Sequence, residues 1–266
     1  MKSNCRLGLD LFEFVAKEPK PLRRELKMNC KKCVFFSLII LMSLSITSVF
    51  ADRDDFNSTK LGEKWIWDNP AKDSSYDLKE KPGWLKITCA PGDHDIWDVR
   101  GGGPAVLLEA PNNYTFETHY VTTIKDNCSV GLVFLNEDAV GNAKSPGPWC
   151  ALFTQPGNQL FWQHAVGVDK MQANVANGND AYIKVEKTDK NWKFYYKEKA
   201  DDKWTLIIDD NYDIGKKHYA GLMVKNWDPG PEITGYYDYV ETSWAFASAV
   251  EPYEKLTTMW GHIKQK

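Results

Sequence analysis

The chain has 266 residues, 33 Lys and Arg against 36 Asp and Glu, and 43% hydrophobic residues, a length and apolar content sufficient for one large core. Residues 1–51 hold nine of the basic and four of the acidic residues, so from 52 onward 24 basic face 32 acidic residues, a net charge of −8. That balance excludes the basic surface that phosphate backbones demand, and with it a nucleic-acid partner.

Residues 1–27 are of mixed charge, carry no visible chemistry and read as an extension from an upstream start site. Residues 28–51 have the three parts of a secretory signal: a basic stretch from Met28 to Cys33, an apolar run from Val34 to Phe50, and the small-residue exit ending at Ala51. A membrane anchor is the competing reading, because the run nears the lower length of a span, but Ser43, Ser45, Thr47 and Ser48 dilute it. Cleavage after Ala51 then yields a secreted, periplasmic or extracellular protein with no stable membrane insertion. Cys30 and Cys33 precede the apolar run, so neither is placed as a lipoprotein cysteine.

From 52 to 244 nearly every apolar segment alternates with period two and is bounded by Gly, Pro, Asn or Asp, the strand signature. Clear cases are Trp84–Cys89, Tyr114–Val121, Tyr182–Lys187, Asn191–Tyr196 and Thr234–Val240, and the turn Thr188-Asp189-Lys190-Asn191 reads as a hairpin. About a dozen strands in one domain must pack as two sheets, which predicts an all-β, two-sheet antiparallel jelly-roll sandwich over 52–244. The longest loops fall at 91–104, 136–148 and 167–180. Three cysteines remain, Cys89, Cys128 and Cys150; their odd number allows buried free thiols or one bridge plus a spare thiol. After Ser243 the alternation fades into a tail, 245–266.

Five segments together resemble a known family, the concanavalin A-like domain at the C-terminus of bacterial β-xylosidases and its free-standing relatives. They are Asp55-Phe56 with Leu61 and Trp65-Ile66-Trp67; Pro82 to Ile87; Asp95-Ile96-Trp97 leading to Val106-Leu107-Leu108; Ala181 to Val185 with Phe194-Tyr195-Tyr196 and Trp204; and Gly221 to Val224 ending in Tyr237 to Val240. The likeness spans about 54–241. It implies a jelly-roll used as a carbohydrate-binding or accessory module, while the propeller hydrolase domain of the xylosidases has no room in this chain.

All 11 tryptophans lie beyond residue 51. Sugar rings present C–H faces that stack on indoles, and their hydroxyls need polar side chains at the rim. Trp97, Trp149 and Trp162 lie in or beside the long loops, and Trp227 follows a strand end, so these four are the candidate stacking rings. His164 shares a strand face with Trp162. Asp95 and Asn226 join them as carbohydrate-binding residues, with His94, Gln155 and Gln163 as further polar partners. Trp84, Trp192 and Trp204 read as core, and Trp65 with Trp67 as either a platform or one core wall. The run Gly92 to Asp98 reads as a polar turn rather than a cation site. Asp55 and Asp238, on neighbouring strands, are candidates for a structural calcium; no other cofactor is expected.

No Gly-x-Ser-x-Gly, HExxH, P-loop or Glu-x-Asp-x-Glu run occurs in the sequence. The reading is therefore a secreted non-catalytic module for neutral glycans, its partner a polysaccharide. A glycoside hydrolase or polysaccharide lyase of the same fold, working through Glu117 or Asp95, is the alternative. A structural or protein-binding surface domain is the third.

Overall fold

The computed structural model describes residues 52–96, 102–142, 147–164 and 171–244. The extension, signal segment and tail lie outside the described residues, as does Trp97. All named elements are strands, and they form two antiparallel sheets, as expected.

The eight-stranded sheet runs in the order β13 (Thr205–Asn211), β12 (Asn191–Lys197), β11 (Asp180–Thr188), β6 (Tyr114–Thr122), β15 (Ile233–Thr242), β4 (Leu85–Cys89) and β3 (Ser75–Asp77), with β1 (Asp52–Asp54) also paired to β15. The seven-stranded sheet runs β10 (Met171–Asn174), β9 (Gln159–His164), β8 (Trp149–Gln155), β7 (Cys128–Asn136), β14 (His218–Asn226), β5 (Ala105–Ala110) and β2 (Ile66–Asp68). The hairpin stands where the sequence puts it: Thr188 pairs with Asn191, and Asp189 takes a φ of 53° between them.

In three strands of the eight-stranded sheet alternation is strict. Strands β4, β11 and β12 bury every second side chain and leave the others half-exposed, because one face meets the core and the other water. The inner faces of both sheets meet in one apolar cluster that includes Ile87, Phe116, Val185 and Phe194 from one side and Val106, Leu132, Leu152 and Leu222 from the other. Each such side chain contributes about 1.5–3 kcal/mol of hydrophobic stabilisation.

The seven-stranded sheet departs from this pattern. Eight consecutive residues of β7 and six of β8 are buried, because its outward face carries a second apolar layer: Leu107, Val133, Trp149, Ala151, Phe153 and Met223, with Ile96 and Ala139 from loops. Gly131, in mid β7, has no space for a side chain, since a Cβ would lie 2.2 Å from the Leu152 carbonyl oxygen.

The cysteines resolve as three buried free thiols. Trp192 is core as expected, and Trp65 and Trp67 pack on the core, Trp65 donating from Nε1 to Asp54 at 2.8 Å. Trp84 and Trp204 are corrections. Both are half-buried on the eight-stranded sheet's outward side, Trp84 under the Lys81 ammonium at 3.1 Å and Trp204 under that of Lys197 at 4.6 Å.

Candidate functional site

The outward face of the seven-stranded sheet brings apolar floor and polar chemistry together. Register aligns Asp68, Ala105, Met223, Gly131, Phe153 and Phe161 in one row across β2, β5, β14, β7, β8 and β9, and Leu107, Gly221, Val133, Ala151 and Gln163 in the next. Lys225, opposite Ser129, adds a cation at the end of β14.

The Lys225 Nζ lies 2.7 Å from Asp95 Oδ1, 4.6 Å from the Phe153 ring centroid and 5.1 Å from that of Trp227. Both charged side chains are buried. A buried ion pair is held by its mutual attraction against a desolvation cost of several kcal/mol per ion, so removing one partner costs about 3–5 kcal/mol. Trp227 is half-buried, with surface left for contact. Gln163 is buried with its Nε2 lacking a hydrogen-bond partner, and Ser129 Oγ is likewise unpartnered. Buried donors of this kind cost about 1–3 kcal/mol unless something accepts from them.

Asp68 closes the row on β2. Burial pushes its carboxyl up from 3.8 to about 6, against the favourable bond that Gly141 N–H donates to Oδ1 at 2.9 Å. The carboxyl thus holds its proton nearer neutrality than an exposed aspartate does, and it anchors the β7–β8 connection.

The loop that carries Asp95 is fixed by Asn226. Its side-chain NH2 donates to the Ala90 and Pro231 carbonyls at 2.7 and 2.9 Å, and its Oδ1 accepts from the His94 backbone N–H at 3.2 Å and lies 2.9 Å from His94 Nδ1. The other His94 ring nitrogen lies 2.8 Å from Asp73. A two-bond bridge between Gly92 and Gly230 completes the clamp.

Of the residues read from the sequence, Asp95, Trp149, Trp227 and Gln163 therefore share this face. Trp149 is 1% exposed and belongs to the floor, not to an open stacking surface. Asn226 is wholly buried and acts as a strut; its amide is consumed by loop bonds. Trp162 and His164 are corrections, because they lie on the opposite, inward side of β9. Trp162 packs at 4.5 Å from Phe194 and donates to Asp210 at 2.7 Å, and His164 stacks on Tyr212 at 4.4 Å. Their shared face was read rightly, but the face is the core. Gln155 ends β8.

Asp55 pairs with Arg53, and Asp238 lies 3.2 Å from His119, whose other ring nitrogen is 2.8 Å from Asp180. Both carboxylates proposed for calcium thus face cationic or donor side chains, and among the described residues no group of three or more His, Cys, Asp or Glu is arranged to hold a metal. Glu117 accepts a hydrogen bond from the Tyr239 hydroxyl on the other sheet, away from the Lys225 face.

Sequence reasoning missed Lys225, Phe153 and Asp68. The signal for Lys225 was present: it is a lone cation directly after the apolar run Gly221–Val224.

Residues 53–129 match the family model for the beta xylosidase C-terminal concanavalin A-like domain. A beta-xylosidase of Formosa agariphila is 40% identical over 37 residues, which cover 14% of this chain and 6% of that protein. A mutant of the GH43 protein BlXynB from Bacillus licheniformis superimposes with a TM-score of 0.58 at 18% identity, covering 72% of this chain and 39% of that one. The laminarinase from Flavobacterium sp. UMI-01 superimposes with a TM-score of 0.50 at 12% identity, covering 71% of this chain and 97% of that one. The chain thus spans about two fifths of the GH43 structure and nearly all of the laminarinase. By sequence across residues 53–129 and by fold across 72% of its length, it resembles the concanavalin A-like domain found at the C-terminus of β-xylosidases.

Proposed function

We propose that the chain is a carbohydrate-binding module that takes neutral polysaccharide on the outward face of its seven-stranded sheet. The observation that carries this reading is the grouping at Lys225 of a half-buried indole and a buried ion pair over one apolar floor. Trp227 supplies a ring for stacking. Among the described residues, two carboxylates, Asp68 and Asp95, accompany the Lys225 ammonium, which favours uncharged over anionic sugars. The signal-like segment 28–51 supports export, with cleavage after Ala51. The similarity to β-xylosidase and laminarinase proteins supports the polysaccharide class.

Affinity electrophoresis and calorimetry with xylan and laminarin test the reading. Retardation by at least one glycan is expected, with Trp227→Ala weakening it about tenfold, the loss of roughly 1–2 kcal/mol for one aromatic contact. Unchanged mobility with both glycans, in a chain shown to be folded, would overturn it.

A hydrolase working on the same face is the second reading, favoured by the Asp68 carboxyl held near 6. It requires release of reducing ends from laminarin or xylan that Asp68→Asn abolishes.

A further inference from the structure

The eight-stranded sheet has a cleft of its own. Strand β6 pairs with β15 only as far as Thr122 opposite Gly235. There β6 turns away: Thr122 N–H donates to the Asn179 carbonyl at 2.8 Å, and Ile124 N–H donates to the Asn179 side chain at 3.2 Å. The strands part and leave a half-open space of about 190 Å³ lined by Val121, Thr123, Lys125, Glu232, Thr234 and Tyr236. Lys125 spans it, donating from Nζ to the Glu232 carbonyl at 2.9 Å.

The walls are chemically mixed. Tyr236 offers a half-exposed ring, its hydroxyl tied to Glu80 at 2.8 Å and the nearest ammoniums, Lys81 and Lys86, no closer than 5.8 Å to its centroid. The ring is less shielded than Trp84, which has an ammonium at 3.1 Å. Val121 adds methyl groups beside it. At the rim the Glu232 carboxylate and the Thr123 hydroxyl are exposed, and neither makes a side-chain bond among the described residues. An apolar ring wall, one free anionic acceptor, one ammonium and one free hydroxyl form the set that a ring bearing several hydroxyls can satisfy. A charged ligand would face either Glu232 or Lys125 with like charge. The volume is below the roughly 300 Å³ at which pockets for larger ligands begin.

We propose that this cleft is a second saccharide site, separate from the Lys225 face, that takes one neutral monosaccharide residue. The two sites are joined by one short connection, since the segment between β14 and β15 runs from Trp227 at the first to Glu232 at the second. The assignment stands on the cleft's own geometry and does not require the first site to bind.

Backbone amide shifts of the full chain, followed by heteronuclear NMR while D-xylose or D-glucose is added, test it. Saturating shifts at Thr123, Thr234 and Tyr236 are expected for at least one sugar, with a Kd on the order of 1 mM, suited to a contact of this size. Glu232→Ala and, separately, Thr123→Ala should each weaken them about tenfold or more. Both positions are exposed, so the fold should persist, and undisturbed amide spectra elsewhere would show it. Gln163→Leu, a change on the seven-stranded sheet, should leave the shifts as they are. Absence of saturation with both sugars, equal shifts in the Glu232→Ala chain, or shifts confined to the seven-stranded sheet would each overturn the proposal. Loss of polysaccharide retardation in Trp227→Ala bears on the first site alone.

Discussion

Two buried titratable side chains pull the stability of this protein in opposite directions as pH changes. His218 is fully buried, and desolvation, aided by the nearby Lys187 ammonium, lowers it from 6.5 to about 4 against the weaker pull of the Lys216 and Gly215 backbone. Between 6.5 and about 4 the unfolded chain takes up the proton and the folded chain does not, so acidification through that window destabilises the fold. Asp68 behaves inversely: burial raises it from 3.8 to about 6, so the folded form holds more proton and stability falls as pH rises through that window. Each effect amounts to roughly 3 kcal/mol when complete. Because the windows overlap, the native chain should show a flat stability profile between about pH 4 and 6. Denaturant titrations should show stability rising with pH across that range in Asp68→Asn and falling in His218→Gln. Asp68→Asn should also be the more stable protein at pH 7, by a few kcal/mol at most. Equal slopes in both variants would refute the assignment. The same scale decides Asn226: losing its four bonds in Asn226→Ala should cost about 3 kcal/mol and release the loop that presents Asp95.

At the level of strands, what could be read in advance depended on how many faces each strand buries. Strands β4, β11 and β12 bury one face, so alternation alone located them and their inward residues. Strands β7, β8 and β14 bury both, and a continuous apolar run carries no sign of which side is core. Strand β9 carries large side chains on either face, Leu160 and Trp162 inward and Phe161 outward, so Trp162 and His164 were correctly placed on one face and the face itself was misassigned, while Asp95, Trp149 and Trp227 were gathered without knowledge of the lysine between them. Trp84 and Trp204 were misjudged for the converse reason: lysines laid over their rings let an indole stand on a solvated face. The double burial also makes backbone approach critical. A methyl group at Gly131 or Gly221 would meet a neighbouring carbonyl oxygen at 2.2 Å. Gly131→Ala and Gly221→Ala should therefore each lower the thermal midpoint markedly, by an overpacking cost of about 1–3 kcal/mol or more, whereas Gly157→Ala, with open space around it, should act only through its φ of 89°. Calorimetry of the three variants separates crowding from backbone strain.

For the molecule as a whole, the division of tryptophans between interior and face makes fluorescence informative. Trp149, Trp162 and Trp192 are at most 1% exposed and should resist acrylamide. Trp227 is half-buried like Trp84 and Trp204, and a bound glycan should shield it, so the quenchable part of the emission should shrink on adding the glycan, and this glycan-dependent change should be lost in Trp227→Ala. Among the described residues the interior also holds three free thiols, Cys89, Cys128 and Cys150, and no disulfide. Burial raises Cys89 to about 12 and Cys128 to about 11 and pushes Cys150 well above the ordinary thiol range, so almost none of the reactive thiolate is present at neutral pH. Reducing agent should leave the melting temperature of the sandwich unchanged, and alkylating reagents should label Cys89, Cys128 and Cys150 only after denaturation. A sandwich secured by packing alone needs no oxidising catalyst to mature, and it keeps the same shape on either side of a redox boundary.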